Sequence, residues 1–287
     1  MNLEEHAWGC AIRGTRCSRG AATMYLLVCG TMKPFETNKY GQWEGTPMEY
    51  GIQLYSVRDE MGKDVKGTLA KIAGMGYKLV EFAGFYNHSA EEIVAMLAEN
   101  GLKISGTHTG LADFVADYDA NLAYHKAIGN RNLIVPWHDL SSQEKIDEFV
   151  ELVNEYQPKL AAEGISLAYH NHREEFLPNA DGSVSFDQIV SKTKMALEID
   201  TFWAYAAGKD PVALLDAYKD RLTFIHLKDG TADGEGFPLG NGTAPVAAVY
   251  KKAAALGIPM VVESETQKPD GFTEAKICIE YMKGLEG

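Results

Sequence analysis

The chain's 287 residues carry 27 basic against 40 acidic side chains, and the formal charge of -13 excludes a polyanion such as nucleic acid as a natural partner. No apolar run approaches the roughly 20 residues that span a bilayer, so a membrane span is excluded too, and the length suits one large α/β domain or two small ones. Cys10, Cys17 and Cys29 precede residue 50 and Cys278 lies near the end, a distribution that supplies no disulfide framework.

Residues 1–49 read as a poorly defined, signal-like N-terminal segment. Met24-Tyr-Leu-Leu-Val-Cys-Gly30 is a short apolar run without a basic flank or an Ala-x-Ala site, which makes a poor export signal. A cytoplasmic location is expected. The alternative is export through a truncated lipoprotein-like signal ending at Cys29, with Val28 where a small residue belongs.

Residues 50–287 are expected to form a single catalytic domain, because apolar β-like runs alternate with helical patterns as in βαβ units. The runs are Tyr50 to Ser56, Lys78 to Phe82, Lys103 to His108, Asn132 to Trp137, Ile165 to His170, Met195 to Asp200, Leu222 to His226 and Pro259 to Glu263. Between them, a helix is expected around Val65 to Gly74, one capped at Ser89 and ending at Asn100-Gly101, and a long one through Tyr124. A capping-box pattern at Ser141-Ser-Gln-Glu144 opens the next. Eight strand–helix pairs close a barrel, so the expected fold class is α/β, a (β/α)8 TIM barrel.

The last four runs end in residues able to bind a metal or carry a proton. His170, Asp200, His226 and Glu263 follow one another at 30, 26 and 37 residues, about one strand-plus-helix unit each, which delivers all four to one rim. By strand alternation His170 and His172 point the same way, so either is eligible as the ligand. Two imidazoles with two carboxylates suit one divalent ion such as Mn, Co, Zn or Fe.

Leu167-Ala-Tyr-His-Asn-His172, Glu198-Ile-Asp-Thr-Phe-Trp203, Phe224-Ile-His-Leu-Lys-Asp229, Pro238-Leu-Gly-Asn-Gly242, Val261-Val-Glu263 and Gly51-Ile-Gln-Leu-Tyr-Ser-Val-Arg58 resemble the sugar phosphate isomerase/epimerase group of xylose-isomerase-like barrels. The resemblance runs from about Tyr50 to the C-terminus. It implies a metal quartet of His170, Asp200, His226 and Glu263. Many members of that group carry Glu where His170 stands, so this site is one negative charge poorer. The group's ketose epimerases use two metal-site glutamates as an acid/base pair, of which only Glu263 has a counterpart, and they commonly place a His where Trp203 stands. These departures favour a relative acting on an oxidised or glycosidic sugar over a free-ketose epimerase.

Proton transfer beside a carbonyl needs a base, and the candidates are Glu263 and His172, the imidazole titrating nearer neutral pH. Lys228 shares the inward alternation of His226 and reads as an electrophile or a donor to a leaving oxygen. His108 and Glu81 are candidate ligands of substrate hydroxyls, and Trp137, His138, Phe202 and Trp203 a candidate wall for a sugar's C–H face. Glu174 and Glu175 read as a solvated loop pair, and Leu239-Gly-Asn-Gly242 as a tight turn more than an anion site.

The expected function is a metal-dependent sugar or keto-sugar isomerase/epimerase. The alternatives are a lyase or dehydratase acting on a keto-sugar or 3-keto-glycoside through the same site, and a sugar-binding barrel without turnover. The expected partner is a small sugar or keto-sugar, and a homo-oligomer is compatible with this reading. An abasic-site endonuclease of the same superfamily is disfavoured by the charge of -13.

Overall fold

The computed structural model describes residues 49–286. Within them eight parallel strands close into a barrel: β1 (Gly51–Gln53), β2 (Leu79–Phe82), β3 (Lys103–His108), β4 (Asn132–Val135), β5 (Ser166–His170), β6 (Ala196–Asp200), β7 (Leu222–Leu227) and β8 (Met260–Val262). Each strand pairs with its neighbours in chain order, and β8 returns to β1 through Gly51 opposite Val261. The (β/α)8 expectation is met. The readings for Cys10, Cys17, Cys29 and the signal-like stretch lie outside the described residues.

Several strands are shorter than their apolar runs, each for a local reason. The Gln53 side chain accepts from the Tyr55 amide and turns Leu54–Val57 into a 3-10 helix, which ends β1. Pro136 has no amide to continue the β4 ladder. The long helix expected through Tyr124 is two, Leu111–Ala116 and Tyr118–Ala127, separated by Asp117 at φ -136°, ψ 63°. Ser142, rather than Ser141, caps the helix Gln143–Ala162, because the Ser141 hydroxyl is bonded to Asp139. Ser89 and Glu92 form the expected capping box on Ala90–Asn100.

Helical periodicity positions the outer layer. In Gln143–Ala162 the buried residues Ile146, Phe149, Val150, Val153 and Leu160 make one apolar stripe, which packs on Leu133, Val135, Leu167 and Tyr169 of β4 and β5. Register then sets the inner surface. The β2–β3 pairing steps past Ser105 and the β6–β7 pairing past Thr223, so that Glu81 aligns with Gly106 and Asp200 with His226. Both steps lie beside the buried carboxylates Glu81 and Glu198.

Candidate metal centre and cavity

His170, Asp200, His226 and Glu263 each offer one donor atom to a set whose members all lie within 4.8 Å of one another, and all four are buried. Three strand ends and the residue after β8 deliver them. Asp200 is also the N-cap of the helix Thr201–Ala206: its Oδ1 accepts from the Trp203 amide at 2.8 Å, leaving Oδ2 without a partner. His170 Nδ1 and His226 Nδ1 are likewise buried without a hydrogen bond, 3.5 Å from Glu198 Oε2 and 3.4 Å from Glu263 Oε2. Buried polar atoms are rarely left so. Converging from separate strands, these donors suit a divalent cation.

Burial raises the Asp200 carboxyl to about 6, with Lys228 opposing the rise. Burial and the neighbouring imidazoles push His170 well below its usual range, so that it is neutral. For Glu263, burial is outweighed by Lys228 and His226, which hold it well below the carboxylate range. His170, and not His172, belongs to the converging set.

One step deeper in the barrel lies a second charged layer. Glu81 Oε1 is 2.8 Å from His226 Nε2, 3.1 Å from His108 Nε2, and accepts from Gln53 Nε2 at 2.7 Å. Glu198 Oε2 is 2.9 Å from His108 Nε2 and 3.2 Å from His226 Nε2. Burial opposes charge on every member, but the pairing prevails for three: Glu81 is held well below its usual range, His226 well above, and His108 is raised to about 9. Burial and the Glu81 charge leave Glu198 raised to about 7. His108, His170, Glu198 and His226 also offer donors within 4.8 Å. Here, however, the short nitrogen–oxygen distances already make hydrogen bonds between the imidazoles and the carboxylates.

This layer alters the reading of Glu81, which is fully buried and engaged by protein groups instead of facing a sugar. Glu198 was not among the sequence candidates. Its signal was alternation: it sits two residues before Asp200 on β6, so both point inward. Glu265, beyond the end of β8, holds Lys228 Nζ at 2.8 Å.

Above the quartet opens a cavity of about 680 Å³ whose lining includes His108, His170, His172, Glu263, Glu265 and Trp137. The His172 ring lies 5.0 Å from that of His170, and its Nδ1 has no partner. Trp137 is 65% exposed at the lining, as a stacking wall requires. Trp203 packs instead against His172 and under Lys228, whose Nζ is 4.9 Å from its ring. Phe202 is fully buried, and His138 stacks on Phe149 at 4.5 Å, so neither forms the wall. Lys228 is itself buried between Glu263 and Glu265; they and Asp200 outweigh burial and keep its ammonium well above the usual range.

Two loop readings resolve differently. Glu175 is buried, not solvated: it accepts from the Tyr169 hydroxyl at 2.9 Å and the His172 amide at 2.8 Å, fixing the backbone of His172. The Gly240-Asn-Gly242 turn does cradle an anion, but that anion is the Asp229 carboxylate. It accepts from the amides of Gly230, Gly240, Gly242 and Ala244 at 2.8, 2.9, 3.0 and 3.2 Å. A Cβ on Gly242 would stand 2.3 Å from Asp229 Oδ1, which accounts for the glycine.

Residues 69–284 match the family model described as xylose isomerase-like TIM barrel. The chain belongs to that family. A 66-residue stretch is 35% identical to the inosose dehydratase of Geobacillus kaustophilus, covering 23% of this chain and 21% of that protein. A longer match, 22% identical over 199 residues, reaches the inosose dehydratase of Clostridium beijerinckii and covers 61% of this chain and 67% of that one. Among solved structures, a sugar phosphate isomerase/epimerase from Parabacteroides distasonis superposes with a TM-score of 0.72 at 25% identity, over 82% of this chain and 97% of that one. Enzymes of this barrel family therefore include isomerases, epimerases and dehydratases by name. Among the described residues no helix is long and apolar enough to cross a membrane.

Proposed function

We propose that residues 50–287 form one catalytic domain, a metal-dependent isomerase/epimerase of sugars or keto-sugars that moves a proton at a carbon beside a carbonyl. The observation that carries this reading is the group of three buried donors without a hydrogen bond, His170 Nδ1, Asp200 Oδ2 and His226 Nδ1, converging with Glu263 beside the cavity. His170, Asp200, His226 and Glu263 would hold Mn, Co, Zn or Fe. When bound, such an ion supplies Lewis-acid stabilisation of the negative charge that develops on a carbonyl oxygen.

The protein's own groups divide the remaining work. Glu81 and Glu198 hold the far nitrogen of His226 and so orient its ring toward the quartet. His172 is the candidate base, with an unpartnered Nδ1 beside His170 and a backbone fixed by Glu175. Glu263, held ionised by Lys228, is a weak base and better suited to ligation. Lys228 keeps its proton between two carboxylates, so its contribution is a fixed positive charge. His108 and Trp137 face the sugar from the cavity wall.

A second reading, a dehydratase or lyase, is favoured by the two relatives named inosose dehydratase. The same proton would be removed, and the electron pair left on carbon would expel a β-oxygen. Metal-loaded protein in deuterated water distinguishes the readings by NMR. A stereocentre that takes up deuterium without loss of a substituent supports the epimerase, and release of water or an aglycone supports the lyase. A panel of ketoses and keto-glycosides that all remain unlabelled and intact contradicts both.

A further inference from the structure

The charges around the cavity bear on what kind of sugar enters it, an inference that rests on the reading above. No lysine or arginine stands among the described residues that line it, whereas Asp113, Glu263 and Glu265 do. The cations that come near have their donors engaged by protein groups, and His108 on the wall is paired with Glu81 and Glu198. Lys228 lies between Glu263 and Glu265, and Arg58 donates to the carbonyls of Tyr55 and Glu265 while covering the Tyr55 ring at 4.4 Å. A divalent ion would balance Asp200 and Glu263, and Lys228 balances Glu265. Asp113 then remains as an exposed negative charge on the wall, with no ion-pair partner among the described residues.

A phosphate can also be held without cations, by a cluster of backbone amides at a glycine-rich turn. Barrels often keep that cluster after strands seven and eight. Here the four amides of the turn that follows β7 are occupied by the Asp229 carboxylate, at 2.8 to 3.2 Å. The turn supplies no donors to an incoming anion, and a phosphate near Asp113, Glu263 or Glu265 would meet like charge.

We propose that the site takes an uncharged sugar or keto-sugar and rejects its phosphorylated counterpart, with Asp113 as a specificity-determining residue. The substrate is held by hydroxyl contacts to His108, whose charge is paired with Glu81 and Glu198, and by C–H faces on Trp137, and its supply requires no kinase step.

The test uses the full chain loaded with Mn²⁺ and matched pairs of ketoses and keto-glucosides, each as the free sugar and as its 6-phosphate. Solvent-deuterium exchange is read by NMR. Neutral members should exchange about tenfold faster or more than their phosphates, since like-charge juxtaposition costs several kcal/mol and 1.4 kcal/mol is a factor of ten. Asp113→Asn should narrow that ratio by raising exchange of the phosphates. Phosphates exchanging as fast as the free sugars would overturn the proposal and leave the isomerase reading standing. Exchange in neither series would remove that reading and this one with it. An unchanged ratio in Asp113→Asn would overturn the assignment of Asp113.

Discussion

At the residue scale, the site depends on pairs that only the closed barrel creates. Glu81 and His226 are 145 residues apart in the chain and 2.8 Å apart in the fold, and neither is exposed. Removing the charge of Glu81 while keeping its shape leaves the imidazoles of His226 and His108 without their carboxylate. Breaking a buried pair in this way costs on the order of 3 kcal/mol, and loss of a ligand's supporting partner lowers metal affinity by about 10- to 100-fold. Glu81→Gln should therefore unfold at lower urea concentration and, still folded in buffer, bind Mn²⁺ more weakly by calorimetry. Unchanged affinity would mean that Glu81 does not orient His226. His170, Asp200, His226 and Glu263 were legible in the sequence because each closes an apolar run, one strand-plus-helix unit after the last. Glu81 was legible only as a substrate ligand and Glu198 not at all, since each sits within a strand whose neighbours are apolar, and the partners that offset their burial come from distant strands.

At the element scale, apolar runs alternating with helical patterns identified all eight strands, and the errors lie at their ends. Those ends are decided by side chain-to-backbone bonds that periodicity does not carry, such as Gln53 turning the chain after β1 and Ser141 engaging Asp139. After β7, Asp229–Gly230 pairs with Gly236–Phe237 in a small antiparallel ribbon. Gly230 allows this close approach: a Cβ there would lie 2.3 Å from the Glu235 carbonyl oxygen and 2.4 Å from the Phe202 ring. Phe202 is fully buried and cannot give way freely. Gly230→Ala should destabilise the protein by about 1–3 kcal/mol through overpacking, read as a lower urea midpoint, and a midpoint equal to the parent's would show that the ribbon is loose.

At the scale of the whole molecule, the barrel carries a buried imidazole that links its stability to acid. His125 packs against Phe85 and Phe114, lies 3.0 Å from the Asn130 amide nitrogen, and is lowered by burial to about 4. An unfolded histidine titrates near 6.5. Between the two values the unfolded chain holds the extra proton, so the stability contributed by neutral His125 is complete above pH 6.5 and is lost as pH falls toward 4. The loss is about 3 kcal/mol at most. Urea midpoints measured from pH 7.5 to 4.5 should decline, and His125→Gln should flatten that part of the slope; an equal slope in the variant would place the acid sensitivity elsewhere.

The claim on which the functional reading depends is that four strand ends of one barrel hold a single divalent ion. Metal content of dialysed protein, measured by elemental analysis after loading with Mn²⁺, tests it directly in the parent and in Asp200→Ala and His226→Ala. The account predicts about one ion per chain in the parent and essentially none in either variant that keeps its fold by circular dichroism. Full occupancy in either folded variant, or a parent that takes up no metal, would contradict it.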